Sequence, residues 1–177
     1  MDKNYKIVNV VGSSTINNIN LENYMNILDS KYLQSGNHAI YYKSKKYNTT
    51  IVIYRSGKIT FRGARGIEEA KESVIELHNK LRNAGIDPPF EFNINITNIV
   101  SVYDSKQIFN LEKIMISFKD EDLSYNPETF PGIVYKPKNL KTTALLFSKG
   151  KCIITGARSE IDIIRTIEQI HNFISLE

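Results

Sequence analysis

Ser56-Gly57-Lys58-Ile59-Thr60-Phe61-Arg62-Gly63-Ala64-Arg65 and Lys149-Gly150-Lys151-Cys152-Ile153-Ile154-Thr155-Gly156-Ala157-Arg158 are one pattern written twice in a chain of 177 residues. Gly63 and Gly156 stand 93 positions apart. At the same spacing, Thr49-Thr50-Ile51-Val52-Ile53-Tyr54 parallels Thr142-Thr143-Ala144-Leu145-Leu146-Phe147. Nearer each start the spacing is 89: Val8-Asn9-Val10-Val11 parallels Thr97-Asn98-Ile99-Val100. Asn20-Leu21-Glu22 and Asn110-Leu111-Glu112 follow in turn. A repeat of this length is one structural unit present in two copies. Gly85-Ile86-Asp87-Pro88-Pro89 marks the seam, since glycine ends helices and two prolines cannot continue one. The first repeat is placed at residues 5–86 and the second at residues 90–177.

Each copy reads strand, short helix, several strands, long helix. Asn20 and Asn110 suit the N-caps of the short helices. Ser56-Gly57-Lys58 and Lys149-Gly150-Lys151 lie between strand-like runs and read as hairpin turns. After each Gly-Ala-Arg the period changes. Ile67, Ala70, Val74, Leu77, His78 and Leu81 share one helical face, and Ile161, Ile164, Ile167, Ile170 and Ile174 are expected to do the same. Glu68 and Glu69 open the first long helix and Lys80 and Arg82 close it, in keeping with the helix dipole. Strands with helices enough for one side only give an α+β layer pair. Yet Ala144, Leu146, Cys152 and Ile154 point one way while Leu145, Phe147, Ile153 and Thr155 point the other, and both sets are apolar. A third layer, a dimer or a binding surface would account for the second apolar face.

Composition bounds the function. Hydrophobic residues make up 41%, enough for a packed core, and the net charge of +4 suits an anionic partner. A single cysteine, Cys152, allows no internal disulfide and fits a cytosolic chain. Met1-Asp2-Lys3-Asn4-Tyr5 leads into a strand without an apolar signal segment, and no apolar run reaches the roughly 20 residues of a membrane span. His38, His78 and His171 lack ligand spacing, so no metal and no cofactor is expected. Cys152 sits in a strand and reads as packed. Gly57-Lys58 and Gly150-Lys151 lack the flanking residues of a phosphate-binding loop. Glu68/Glu69 and Asp120/Glu121/Asp122 read as solvated faces, and nothing supports an enzyme.

The second repeat carries Ile96-Thr97-Asn98-Ile99-Val100. It continues with Leu123-Ser124-Tyr125-Asn126-Pro127-Glu128-Thr129-Phe130-Pro131-Gly132-Ile133-Val134-Tyr135-Lys136, then Leu145-Leu146-Phe147-Ser148-Lys149-Gly150-Lys151 and Thr155-Gly156-Ala157-Arg158. This resembles the C-terminal half of the TATA-box-binding protein core. The first repeat is more distant but keeps Ile7-Val8-Asn9-Val10-Val11, Asn48-Thr49-Thr50 and Ser56-Gly57-Lys58 through Gly63-Ala64-Arg65.

The resemblance implies a saddle of two tandem repeats, a curved antiparallel sheet with helices on the convex face and DNA on the concave one. It implies a transcription initiation factor that binds and bends the minor groove of AT-rich promoter DNA and recruits a transcription-factor-B-like protein and the RNA polymerase machinery. Asn98 and Thr155 would be polar base-edge contacts; Val100, Leu145 and Ile153 would line the groove; Phe130 and Phe147 would be the wedge pair. Lys136, Lys141, Lys151 and Arg158 would meet phosphates, which position without specifying. In the first repeat Asn9 and Val11 match the pattern, and Val52 takes a groove-lining position. Tyr54 and Asn37 stand where wedge phenylalanines are expected. Thr60 and Arg62 replace an aliphatic residue and a threonine. Lys43-Ser44-Lys45-Lys46 reads as a solvated loop or a DNA contact. Glu128 would meet the partner, although Asn126 and Thr129 replace an acidic and an aliphatic residue. The alternative is a diverged regulator that acts through protein–protein contacts with weak or altered DNA binding. An archaeal-type factor would be cytoplasmic and nucleoid-associated, a eukaryotic one nuclear.

Overall fold

The structure, a computed structural model, describes residues 4–16, 20–28, 31–33, 39–86 and 93–174. Asn37, His38 and the Asp87-Pro88-Pro89 seam lie outside the described residues. The chain forms two compact units: residues 9–97, and residues 98–177 together with residues 1–8.

The elements run β1 (Tyr5–Thr15), α1 (Leu21–Leu28), β2 (Lys31–Leu33), β3 (Ala39–Lys43), β4 (Thr50–Tyr54), β5 (Lys58–Ala64) and α2 (Ile67–Asn83). They continue with β6 (Asn95–Asp104), α3 (Leu111–Ser117), β7 (Asp122–Ser124), β8 (Gly132–Lys136), β9 (Thr143–Phe147), β10 (Lys151–Ala157) and α4 (Glu160–Ile174). Pairing within the first set is antiparallel in the order β2-β3-β4-β5-β1, and within the second in the order β6-β10-β9-β8-β7. The α+β class expected from the strand and helix order is the class observed.

Local chemistry sets the element ends. The Asn20 side chain accepts from the Glu22 and Asn23 amides at 3.1 and 3.3 Å, and Asn110 accepts from Lys113 at 2.9 Å, so both expected N-caps form. Gly57 (φ 87°) and Gly150 (φ 81°) close the β4–β5 and β9–β10 hairpins. A Cβ at Gly150 would lie 1.9 Å from the Gln107 carbonyl oxygen, so only glycine fits that turn.

In the unit of residues 9–97, Ile40 and Tyr42, Ile51 and Ile53, Ile59 and Phe61 are buried on one sheet face, against α1 and α2. From the helices come Tyr24, Leu28, Ala70, Val74, Leu77 and Leu81. In the other unit Ile133, Tyr135, Ala144, Leu146, Cys152 and Ile154 fill the same role. Phe173 packs edge-on against Tyr135 and Phe118, with ring centroids 4.8 and 4.6 Å away. Cys152 is core, as read from its strand: burial, then Asp104, pushes its thiol up to about 12, which keeps it protonated and unreactive.

One expectation needs correcting. The buried stripe of α4 is Ile163, Thr166, Ile170 and Phe173, whereas Ile161 and Ile164 are exposed. The helix is isoleucine-rich, so two stripes compete. The inward one is chosen by tertiary contacts: Thr166 meets Thr142 at 2.7 Å, and Gln169 accepts from the Tyr135 hydroxyl at 2.9 Å.

Candidate nucleic-acid interface

Strand alternation places a second set of side chains on the face turned away from the helices. In the unit of residues 98–177 the register aligns Val102, Ile153, Leu145 and Val134 in one row across four strands. All four are half-buried, so the row is apolar yet reachable. Val100, Thr143 and Thr155 are half-buried beside it. At the sheet end Phe147 lies opposite Gly132, and its ring meets Phe130 at 5.8 Å and 62°. A Cβ on Gly132 would come within 3.1 Å of one ring and 3.2 Å of the other. The missing side chain at Gly132 is what gives both rings room on this face.

Next to this row stands a polar device that appears in both units. The Asn98 Oδ1 accepts from the Gly156 amide at 2.7 Å, and the Thr155 hydroxyl lies 3.5 Å from the same oxygen. The Asn9 Oδ1 accepts from the Gly63 amide at 2.8 Å. Each glycine has positive φ, 84° for Gly156 and 104° for Gly63, and each sits at a break in strand register. The bulge turns a backbone N–H out of the ladder and toward the asparagine. A backbone N–H can only donate, so it assigns the amide orientation: Oδ1 inward, Nδ2 outward with two protons to give. The sequence placed Asn9 and Asn98 at matched positions but did not show what Gly-Ala-Arg contributes. The recurrence of each asparagine with its glycine was the available signal.

The unit of residues 9–97 presents a different floor. Its register aligns Ser13, Thr60, Val52 and Tyr41 in one row and Val11, Arg62, Thr50 and Lys43 in the next. Tyr54 lies opposite Ala39, the position Phe147 and Gly132 hold in the other copy. Arg62 is exposed, Tyr41 is 38% exposed, and Ser13, Thr60, Tyr54, Val11 and Asn9 are half-buried. Val52 was expected to line the groove. By alternation it lies on the outward face, between Tyr41 on β3 and Thr60 on β5, but it is only 7% exposed, so it contributes little reachable surface. Ser13 and Tyr41 were not singled out in the sequence. By the repeat offsets they correspond to Val102 and Val134 of the other copy.

With this geometry in view, the chain's relatives are informative. The family profile described as "Transcription factor TFIID (or TATA-binding protein, TBP)" matches residues 4–84 and again residues 93–175. The chain belongs to the TATA-binding protein family. It is 36% identical to the TATA-box-binding protein of Methanocaldococcus jannaschii over 172 residues, covering 96% of this chain and 93% of that one. It is 33% identical to the Thermoplasma volcanium protein of the same name over 166 residues, 93% and 90% of the two chains. The solved TATA-binding protein of Methanococcus jannaschii superposes with a TM-score of 0.85 at 35% identity, over 97% of this chain and 98% of that one. The chain therefore has the fold of TATA-binding proteins, with tandem repeats, and belongs among DNA-binding transcription factors directed at the TATA box. No helix among the described residues is long and apolar enough to cross a membrane.

Around the floor of this TATA-binding-protein relative lie the charged side chains. Lys136, Lys141, Lys151 and Arg158 are exposed in one unit. In the other, Lys43 at the end of β3 and Lys45 and Lys46 on the following loop, which is tied to α2, are exposed. Glu76 accepts from the Tyr42 and Ser44 hydroxyls at 2.5 and 2.6 Å, Glu72 from the Tyr47 hydroxyl, and Glu69 from the Asn48 amide at 3.2 Å. The Lys46 ammonium lies 4.9 Å from the Tyr47 ring centroid. The loop is thus a held cationic edge. Glu128 is exposed in a turn where the Asn126 side chain accepts from its amide at 3.1 Å and Thr129 bonds back to the Asn126 carbonyl at 3.2 Å. Asn126 and Thr129 serve the turn itself.

Proposed function

We propose that this chain binds and bends the minor groove of AT-rich promoter DNA and there recruits a transcription-factor-B-like protein, and through it the RNA polymerase machinery. The observation that carries this reading is the pairing of a reachable apolar row with outward amide donors at Asn9 and Asn98. A·T edges in the minor groove present acceptors only, while G·C adds the guanine amino group. Outward Nδ2 groups match the first, and Val100, Leu145 and Ile153 disfavour the second. Apolar side chains inserted between base steps unstack them and kink the duplex. The seating of the Phe130 and Phe147 rings over Gly132 supports that role for them. TA steps deform cheaply, which adds selectivity without base contact. Val11, Tyr54 and Arg62, with Val52 covered between its neighbours, form the floor of residues 9–97; Thr155 joins the apolar row of the other unit; Lys136 and Arg158 take phosphates; Glu128 faces the protein partner. In an archaeal-type cell this places the protein with the nucleoid.

The polar floor of residues 9–97 favours a second reading, a diverged regulator that works chiefly through a protein partner. Binding to a TATA duplex and to a scrambled duplex, each titrated over a range of salt, separates the two. The first reading expects preference for the TATA duplex and an affinity that falls steeply as salt displaces the Lys and Arg contacts. Equal, weak binding to both duplexes would sink it and leave the regulator.

A further inference from the structure

We propose that Ser13 and Thr60 make one half of the DNA site tolerant of a G·C pair that the other half rejects. This rests on the minor-groove reading above. Ser13 and Thr60 are direct cross-strand partners, and the same row in the other unit is Val102 and Ile153. All four are half-buried on the outward face. Neither Ser13 nor Thr60 has a side-chain hydrogen-bond partner among the described residues.

The chemistry of the groove makes this difference matter. G·C differs from A·T there by one donor, the guanine N2 amino group. Against Val102 and Ile153 that group loses its water and gains no partner, which is the costly way to bury a donor. Against Ser13 and Thr60 it finds hydroxyl oxygens that accept. The same hydroxyls rotate to donate to adenine N3 or thymine O2, so A·T pairs are not penalised. The result is tolerance of guanine, not selection for it. Arg62 confines the effect: in the neighbouring row its guanidinium can only donate, so it keeps preferring acceptor-only edges.

The test uses palindromic AT-rich duplexes with no G·C pair, with one G·C placed in turn at each position of one half, and with the same pair in both halves. On a palindrome the protein can reverse and set a single G·C over Ser13 and Thr60. At one position, then, a first G·C should change the affinity of the unaltered chain by less than about threefold. The second should cost about 5- to 150-fold, the span of a single mismatched pair. Replacing guanine by inosine, which lacks the N2 amino group, should abolish the second cost. In Thr60→Ile, and separately in Ser13→Val, the first G·C should already be costly while binding to the all-A·T duplex persists. Equal cost for the first and second pair in the unaltered chain, or an unchanged first-pair cost in both variants, would overturn the inference and leave minor-groove binding standing. Loss of all preference for the A·T duplex over a scrambled one would overturn both.

Discussion

The two units share their helix-side carpentry and differ on the face turned away from the helices. Tyr135 donates to Gln169, and 93 positions earlier Tyr42 donates to Glu76. The Asp162 carboxylate accepts from the Arg158 amide at 2.9 Å, and Glu69 accepts from the Arg65 amide at 2.8 Å. Both Asn–Gly clamps form. On the outward face, Val102, Ile153, Leu145 and Phe147 of one copy correspond to Ser13, Thr60, Val52 and Tyr54 of the other. A buried strut constrains its residues by volume and by hydrogen-bond satisfaction, while a reachable face admits any side chain that water tolerates. The outward face is thus where two copies of one fold can differ in what they bind.

The sharpest way to break this contrast is at the proposed wedge. Phe147→Ala and Phe130→Ala should each weaken TATA-duplex binding by about 1–3 kcal/mol, the range for losing one stacked contact. Tyr54→Ala should cost less than about 1 kcal/mol, because its copy of the floor is more polar. Thermal melts should show all three variants folded. Equal losses at Tyr54 and Phe147 would mean the two floors act alike; an unfolded Phe variant would place those rings in the core.

A smaller effect sharpens the comparison on the helix side. The Thr142 and Thr166 hydroxyls bond each other at 2.7 Å, and Thr166 also reaches the Asp162 carbonyl. Their counterparts are Thr49 and Ser73, both fully buried. Ser73 turns to the Ala70 carbonyl at 2.7 Å, and the Thr49 hydroxyl has no partner among the described residues. An unmet buried hydroxyl is destabilising, whereas a met one contributes about 1 kcal/mol. Thr142→Val should therefore lower stability by about 1 kcal/mol, and Thr49→Val should raise it or leave it unchanged. Urea melts decide this, and a Thr49→Val loss as large as that of Thr142→Val would refute it.

The smallest expected effect is on pH. Burial pushes the Glu76 carboxyl up, but hydrogen bonds from Ser44 and Tyr42 outweigh it and hold the group below its ordinary value. A depressed carboxyl adds stability above its unfolded pKa of about 4.3 and loses it as pH falls through the folded value. Gln169 in the other unit has no such dependence. Glu76→Gln should flatten the loss of stability between about pH 5 and about pH 3. Parallel pH profiles for the variant and the unaltered chain would show that Glu76 is not the source.

By itself the sequence determined the duplication, the order of strands and helices, the Asn20 and Asn110 caps, the glycine hairpins and the existence of a second apolar face. Each of these is a local or periodic property, set by a residue's own backbone preferences and by spacings of 2 and 3.6. Only tertiary structure decided the rest. It chose the Ile163–Thr166–Ile170–Phe173 stripe of α4 over the equally apolar Ile161 and Ile164. It covered Val52. It also set Ser13 beside Thr60, and aimed the Asn9 and Asn98 amides by giving their oxygens to Gly63 and Gly156. These outcomes depend on strand register and on which surface a helix meets; Val52 is flanked by Tyr41 and Thr60, 11 and 8 positions away, and the other partners lie 24 to 58 positions apart in the chain. Periodicity shows that a face exists; long-range pairing decides which side chains share it.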